Sequence, residues 1–179
     1  MDWITSTKIP VGRTAKLVFD WLNLHAAAFF NALSTGMQAL IDGILWLLLT
    51  PPPLVIVAIF VAVAFAIQRN WKAPLIVLVG FLFVMNQGYW QATMESLTLV
   101  LSACVVCMAI GVPVGVFLAH RPRLYAWVAP VLDLMQTLPT FVYLIPAIVF
   151  FGIGMVPGLI ATVIFVLPAP IRLTYLGIS

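Results

Sequence analysis

The chain has 179 residues and a formal net charge of +3, with 64% hydrophobic and only 7% charged residues. Soluble domains carry roughly 45–50% apolar and ~25% charged residues. Eight basic and five acidic side chains cannot coat a soluble surface of this size, which excludes an ordinary cytosolic enzyme. Such hydrophobicity also excludes a disordered chain, and two cysteines do not make a disulfide-stapled secreted domain. A polytopic membrane protein remains.

In chain order, the N-terminal region has no short apolar core followed by a small-residue cleavage site, so it does not read as a signal peptide. Asn31, Thr35, Gln38 and Asp42 then recur at helical spacing, while Phe30, Leu33, Met37, Leu40, Ile41, Ile44 and Leu45 cover the rest. The pattern predicts an amphipathic helix lying along the membrane surface, within an N-terminal segment 1–50. Pro51, Pro52 and Pro53 stop it and allow a sharp entry into the first span. Lys8, Arg13 and Lys16 would then stand outside, against the usual charge bias, so a sixth crossing with Met1 inside is the rival reading.

Stretches 43–68, 73–94, 96–120 and 134–171 contain no Asp, Glu, Lys or Arg. At ~1.5 Å per residue the last would reach ~57 Å as one helix, against a hydrocarbon core of ~30 Å. It must therefore fold back, and Gly152, Gly154, Pro157 and Gly158 mark the turn. Spans are predicted at 53–68, 74–90, 93–119, 134–151 and 157–176. Connection 68–73 carries Arg69 and Lys72, connection 120–133 carries Arg121 and Arg123 beside His120, and Arg172 stands near the end of the last span. Connections 86–91 and 152–156 carry no charge. Basic residues thus mark every other crossing, which places Arg69, Lys72, Arg121, Arg123 and Arg172 in the cytoplasm. Trp71, Trp90 and Trp127 fall near the predicted interfaces, where amphipathic rings settle. The chain divides into a tail and amphipathic helix (1–50), two peripheral transmembrane helices (51–91) and a core (92–179). No glycine-rich phosphate loop with its lysine occurs, so any ATP is hydrolysed elsewhere.

Little in the sequence can carry covalent chemistry. Cys104 and Cys107 sit in an apolar span with no second pair and no nearby His, and read as packing residues. No metal site, cofactor site or nucleophile–base set is predicted. Glu95 and Asp133 fall near span ends; intramembrane ionisable residues are functional by default, while headgroup depth is the plainer reading, and Asp133 also suits a helix N-terminus. Gly111 and Gly115 are four apart, the spacing that lets helices approach closely. Pro113, Pro139, Pro146, Pro168 and Pro170 interrupt three spans, and freed carbonyls are tolerated in a membrane only against protein or a watery path. That pattern favours a transporter over a passive anchor. Gln136, Thr137 and Thr140 share one helical face, followed by Tyr143. Neutral hydrogen-bonding groups of this kind can line a path for a zwitterion or cation; hydrogen bonding between helices explains them equally.

Four motifs together resemble a known family. They are Leu-Asp-Leu-Met-Gln-Thr-Leu-Pro at 132–139, Phe-Val-Tyr-Leu-Ile-Pro at 141–146, Phe-Gly-Ile-Gly at 151–154 with Val-Pro-Gly at 156–158, and Leu-Pro-Ala-Pro-Ile-Arg-Leu at 167–173. With them, residues 90–179 closely resemble the permease subunit of glycine betaine/proline betaine ABC importers. The resemblance implies an all-α integral membrane protein with the type I ABC importer permease fold, a helical bundle with an N-terminal amphipathic interfacial helix. It implies a multi-pass subunit of the bacterial plasma (inner) membrane that is not itself an enzyme. The implied partners are a second permease copy in a homodimer, cytoplasmic ATP-binding subunits and an extracytoplasmic substrate-binding protein, with no nucleic acid and no cofactor. On this reading Gln136, Thr137, Thr140 and Tyr143 border the translocation path and Glu95 lies near its outer mouth. In the family a cytoplasmic Glu-Ala-Ala loop follows, and the chain stops before it, so the core is read as truncated. The alternatives are an importer permease for choline, carnitine or an amino acid, and a non-transporting scaffold associating through Gly111 and Gly115.

The charge alternation makes one prediction by itself. Arg69→Cys, Arg121→Cys and Arg172→Cys, each in a cysteine-free background, should react with a membrane-impermeant thiol reagent from the same side. Labelling of Arg69→Cys and Arg121→Cys from opposite leaflets would overturn the topology.

Overall fold

The computed structural model describes residues 11–179, with side chains described from His25 onward; the 1–10 part of the tail, with Lys8, and the side chains of Arg13 and Lys16 lie outside the described residues. All regular structure among the described residues is helical: α1 (Val11–Leu49), α2 (Pro53–Gln68), α3 (Lys72–Asn86), α4 (Trp90–Ala119), α5 (Pro122–Thr137), α6 (Thr140–Phe151), α7 (Met155–Val166) and α8 (Pro168–Ile178).

Local chemistry sets most of these boundaries. Pro52 (φ −53°, ψ 139°) is extended and Pro53 opens α2, where its missing N–H costs nothing. Arg69 ends α2 in the left-handed region (φ 46°), and its N–H closes on the Phe65 carbonyl at 2.8 Å. The Asn70 side chain then accepts from the Lys72 N–H at 3.2 Å and starts α3. At the far end of α3, Gly88 (φ 75°) lets its own N–H reach Met85 O and the Tyr89 N–H reach Val84 O, the paired bonds of a Schellman stop.

The long helix α4 organises the bundle. Its 30 residues span ~45 Å. Met94, Thr98, Ala103, Cys107, Gly111, Gly115 and Leu118 are buried along one stripe. Three apolar clusters sit along that stripe. Near the start of α4, Met94 joins Leu48 and Ile56, with Phe60, Phe81 and Trp90 around them. At mid-helix, Ala103 and Cys107 join Ile41, Val156, Leu159 and Val163. Near its end, Leu118 joins Leu132 and Ile171, with Tyr125, Met135 and Tyr175.

These clusters fix where the charges lie. Leu118 and Ile171 share a cluster, so Arg121, Arg123 and Arg172 stand at one end of the bundle. Ile56 and Phe81 meet Met94 and Trp90 at the opposite end, so the Arg69–Lys72 tip of the α2–α3 hairpin points away from Trp90.

In α1, Asn31, Thr35, Gln38 and Asp42 are exposed, with Gln38 donating to Asp42 at 2.8 Å. On the other side Ile41 and Leu48 are buried, and Phe30 stacks on Phe150 with ring centroids 4.7 Å apart. The helix is therefore a strap that crosses α4, α7 and α6 in turn. It is continuous for 39 residues, and His25–Leu49 is long and apolar enough to cross a membrane.

Two expectations need revision. The segment 120–133 is not a loop but most of α5, and 134–151 is not one straight span: α5 and α6 meet at 89°. The cause is Pro139, which pushes the residue before it out of the helical region, so that Leu138 is extended (ψ 136°). On length and composition, three helices can cross a membrane (His25–Leu49, Trp90–Ala119 and Met155–Ile178), with the bent pair a fourth. At 16 and 15 residues, α2 and α3 reach only ~24 and ~22 Å.

The tightest seam lies between α4 and α8. A Cβ on Gly111 would sit 2.7 Å from Pro170 Cγ, and one on Gly115 would sit 2.6 Å from Thr174 Cβ and 2.8 Å from the Ile171 carbonyl. The second contact is with backbone and cannot be relieved by a rotamer change. Gly115→Leu should therefore lower stability by about 1–3 kcal/mol through overpacking, read as a lower unfolding midpoint in detergent. Gly80→Leu, where a Cβ meets nothing within 4 Å, should leave the midpoint unchanged.

Candidate functional site

The elbow between α5 and α6 gathers most of the residues that the sequence singles out. α5 ends at Thr137 with the Leu138 N–H on the Leu134 carbonyl at 3.3 Å. Pro139 (φ −57°, ψ 140°) caps α6, and its carbonyl accepts the Val142 N–H at 2.9 Å. Two successive extended residues turn the chain far more sharply than a proline kink inside a continuous helix would. Gln136, Thr137 and Thr140 are exposed around this corner. The Thr137 hydroxyl donates back to Leu134 O at 3.1 Å. Tyr143 is half-buried, and its hydroxyl donates across the corner to Met135 O at 3.2 Å, with Leu134 O at 3.5 Å. Pro146 lies inside α6, and Phe141 and Ile145 are exposed on that helix.

Glu95 stands apart from the elbow. It lies near the start of α4, partly exposed, and accepts from Gln91 at 3.0 Å. Met135 belongs to the cluster at the opposite end of the bundle, so the structure does not bring Glu95 to Gln136, Thr137 or Thr140.

Arg172 and Asp133 form the second constellation. Asp133 lies well inside α5 rather than opening a span, and it pairs with Arg172 of α8. Arg172 Nη2 also lies 3.5 Å from the Ala129 carbonyl. Beside this bridge the rings of Tyr125 and Tyr175 stack with centroids 3.6 Å apart and planes 6° apart. The two contacts staple α5 to α8. His120 sits against the Val116 carbonyl at 2.8 Å, and the Arg121 guanidinium lies 4.7 Å over the Phe117 ring.

Sequence reasoning did not single out Thr98 and Ser102, both fully buried on α4. Thr98 donates to Met94 O at 2.8 Å, while the Ser102 hydroxyl has no partner among the described residues. Their spacing from Glu95 along one helical face was the available signal. Cys107 is buried with its sulfur 3.8 Å from the Val163 carbonyl, and Cys104 is exposed. Pro113 lies inside α4, and Pro168 and Pro170 open α8. Among the described residues no group of three or more His, Cys, Asp or Glu is placed to hold a metal ion.

No family model matches the chain. Among curated proteins it is 40% identical over 172 residues, 96% of its length, to the glycine betaine transport system permease protein OpuAB of Bacillus subtilis, of which it covers 61%. It is 40% identical over 153 residues to the glycine betaine/carnitine transport permease protein GbuB of Listeria monocytogenes, covering 84% of this chain and 54% of that one. Over all 179 residues it is 37% identical to the glycine betaine/proline betaine transport system permease protein ProW of Escherichia coli, of which it covers 50%. The chain thus spans between half and about three fifths of the length of these relatives. They are permease proteins of transport systems rather than enzymes.

The staple between α5 and α8 can be weighed directly. With side chains 63% and 29% exposed, the Asp133–Arg172 bridge is screened by solvent and is worth at most about 1 kcal/mol. A double-mutant cycle of Asp133→Asn and Arg172→Gln, followed by chemical unfolding in micelles, should return a coupling energy below that figure. The coupling should shrink further as salt is raised.

Proposed function

We propose that this chain, a homologue of glycine betaine/proline betaine transport permeases over most of its length, forms the membrane-spanning part of an ATP-driven importer for such osmoprotectants in the bacterial inner membrane. The homology carries the reading. On it, a second permease copy completes the path, cytoplasmic ATP-binding subunits power it, and an extracytoplasmic binding protein delivers the solute. The α1 strap lies along the outer half of the bundle.

Within this chain, Gln136, Thr137, Thr140 and Tyr143 border the path at the elbow, and Glu95 stands near its outer mouth. What supports this is the sharp break at Leu138–Pro139, where neutral hydrogen-bonding side chains are exposed among apolar helices. Groups of this kind hold a small zwitterion loosely, at about 0.5–1.5 kcal/mol per hydrogen bond, and so let it pass. Selectivity then falls mainly to the binding protein, where an aromatic cage suits a quaternary ammonium group. Arg69, Lys72, Arg121, Arg123 and Arg172 hold the cytoplasmic end at the headgroups.

A second reading, carnitine alongside or in place of glycine betaine, is favoured by the similarity to the glycine betaine/carnitine permease of Listeria. Uptake of labelled glycine betaine by cells expressing the permease that contains this chain, with its ATPase and binding protein, tests both. Uptake should depend on the ATPase and be competed by proline betaine, and stronger competition by carnitine would select the second reading. Gln136→Ala should lower uptake by about ten-fold, the equivalent of ~1.4 kcal/mol. Wild-type uptake at normal expression would remove Gln136 from the path.

A further inference from the structure

We propose that Tyr143 is the latch that sets the angle of the α5–α6 elbow, its hydroxyl standing in for the N–H that Pro139 lacks. In an unbroken helix the N–H of residue 139 would bond to the carbonyl of Met135. Proline has no such donor, and the abandoned carbonyl must be met by another protein donor or by water. Tyr143, one turn into α6, reaches that oxygen at 3.2 Å. The same hydroxyl lies 3.5 Å from Leu134 O, but that carbonyl already accepts the Leu138 N–H at 3.3 Å and the Thr137 hydroxyl at 3.1 Å. Met135 O is the acceptor that depends on Tyr143.

The two arms of the elbow are each tied to something else. α5 is stapled to α8 by Asp133–Arg172 and Tyr125–Tyr175. α6 runs into the Gly152 turn and is held by Phe150 against Phe30. Between them the joint consists of Leu138 and Pro139, and the side chains of Gln136, Thr137, Pro139 and Thr140 are exposed there. The cross-corner bond from Tyr143 is therefore what couples the direction of one arm to the other. This inference does not depend on which solute passes, and holds for the chain alone.

The test measures the elbow itself. The full chain, with Cys104 and Cys107 replaced by Ala, carries spin labels at Trp127→Cys on α5 and Ile145→Cys on α6, both exposed positions. In lipid nanodiscs the parent should give one narrow interspin distance. Tyr143→Phe, which loses only an oxygen, should shift or split that distribution. 4-Aminophenylalanine at position 143, which restores a donor at the same place, should bring back the single population. In a Pro139→Ala background residue 139 regains its N–H, so adding Tyr143→Phe should change nothing further. The proposal is overturned if Tyr143→Phe alone superimposes on the parent, if the amino analogue fails to rescue, or if Tyr143→Phe acts equally in the Pro139→Ala background.

Discussion

Hydrocarbon offers no hydrogen bonds, so a proline inside a membrane helix leaves a carbonyl that the protein must satisfy from its own groups. This constraint shapes the second half of the chain. Pro139 is the sharpest case, because it both removes a donor and forces Leu138 into an extended conformation. The helix stops altogether, a new one starts at Thr140, and the corner is closed by a side chain, Tyr143, that reaches back to Met135. Pro168 and Pro170 act more gently. They fall at the start of α8, where a missing N–H is least missed, and Met155–Ile178 keeps the length of a membrane span.

The same apolar surround explains why the bundle is held by close contact rather than by burial alone. Between helices in lipid the hydrophobic effect gives no net attraction, so association depends on packing and on the few polar contacts available. Gly111 and Gly115 let α8 lie so near to α4 that a methyl group on either would overlap it. The Tyr125–Tyr175 stack and the Asp133–Arg172 bridge then bring α5 onto the same surface. At this end of the bundle α4, α5 and α8 are packed together, and the chain changes direction at the corner formed by Leu138 and Pro139.

The all-helical class was legible in composition and in the length of the uncharged runs. The turn at Gly152–Gly154 was legible too, because one helix through 134–171 would overshoot the bilayer. The four-residue spacing of Gly111 and Gly115 is visible in the sequence, whereas Pro170 and Thr174, the groups they face, are not. Other features were illegible for reasons of distance. Asp133 and Arg172 are 39 residues apart, and no local pattern pairs them. Tyr143 reads as one more polar residue on a face until the chain bends and its hydroxyl meets a backbone oxygen. The length of α5 was missed because its Arg121, Arg123 and Asp133 look like the punctuation of a loop, although Tyr125, Val128, Leu132 and Met135 keep a helical period and pack on the core.

The placement of charge bears on the proposed transport role. Between Glu95 and Arg121, and again between Asp133 and Arg172, no charged side chain occurs. The side chains exposed at the corner itself, Gln136, Thr137 and Thr140, are an amide and two hydroxyls. A fixed charge in a poorly screened interior would attract the opposite end of a zwitterion strongly: at ~4 Å the Coulomb energy is about 4 kcal/mol even at an effective dielectric of ~20. It would repel the other end at the same time, so a path lined with charge would hold a betaine in one orientation and release it slowly. Hydroxyl and amide groups accept either end of such a molecule, and each contact is weak enough to be exchanged for the next. A neutral corner such as Gln136, Thr137 and Thr140 is therefore better suited to passing a dipolar solute onward than to capturing it. On the proposed transport role, capture would belong to a separate site.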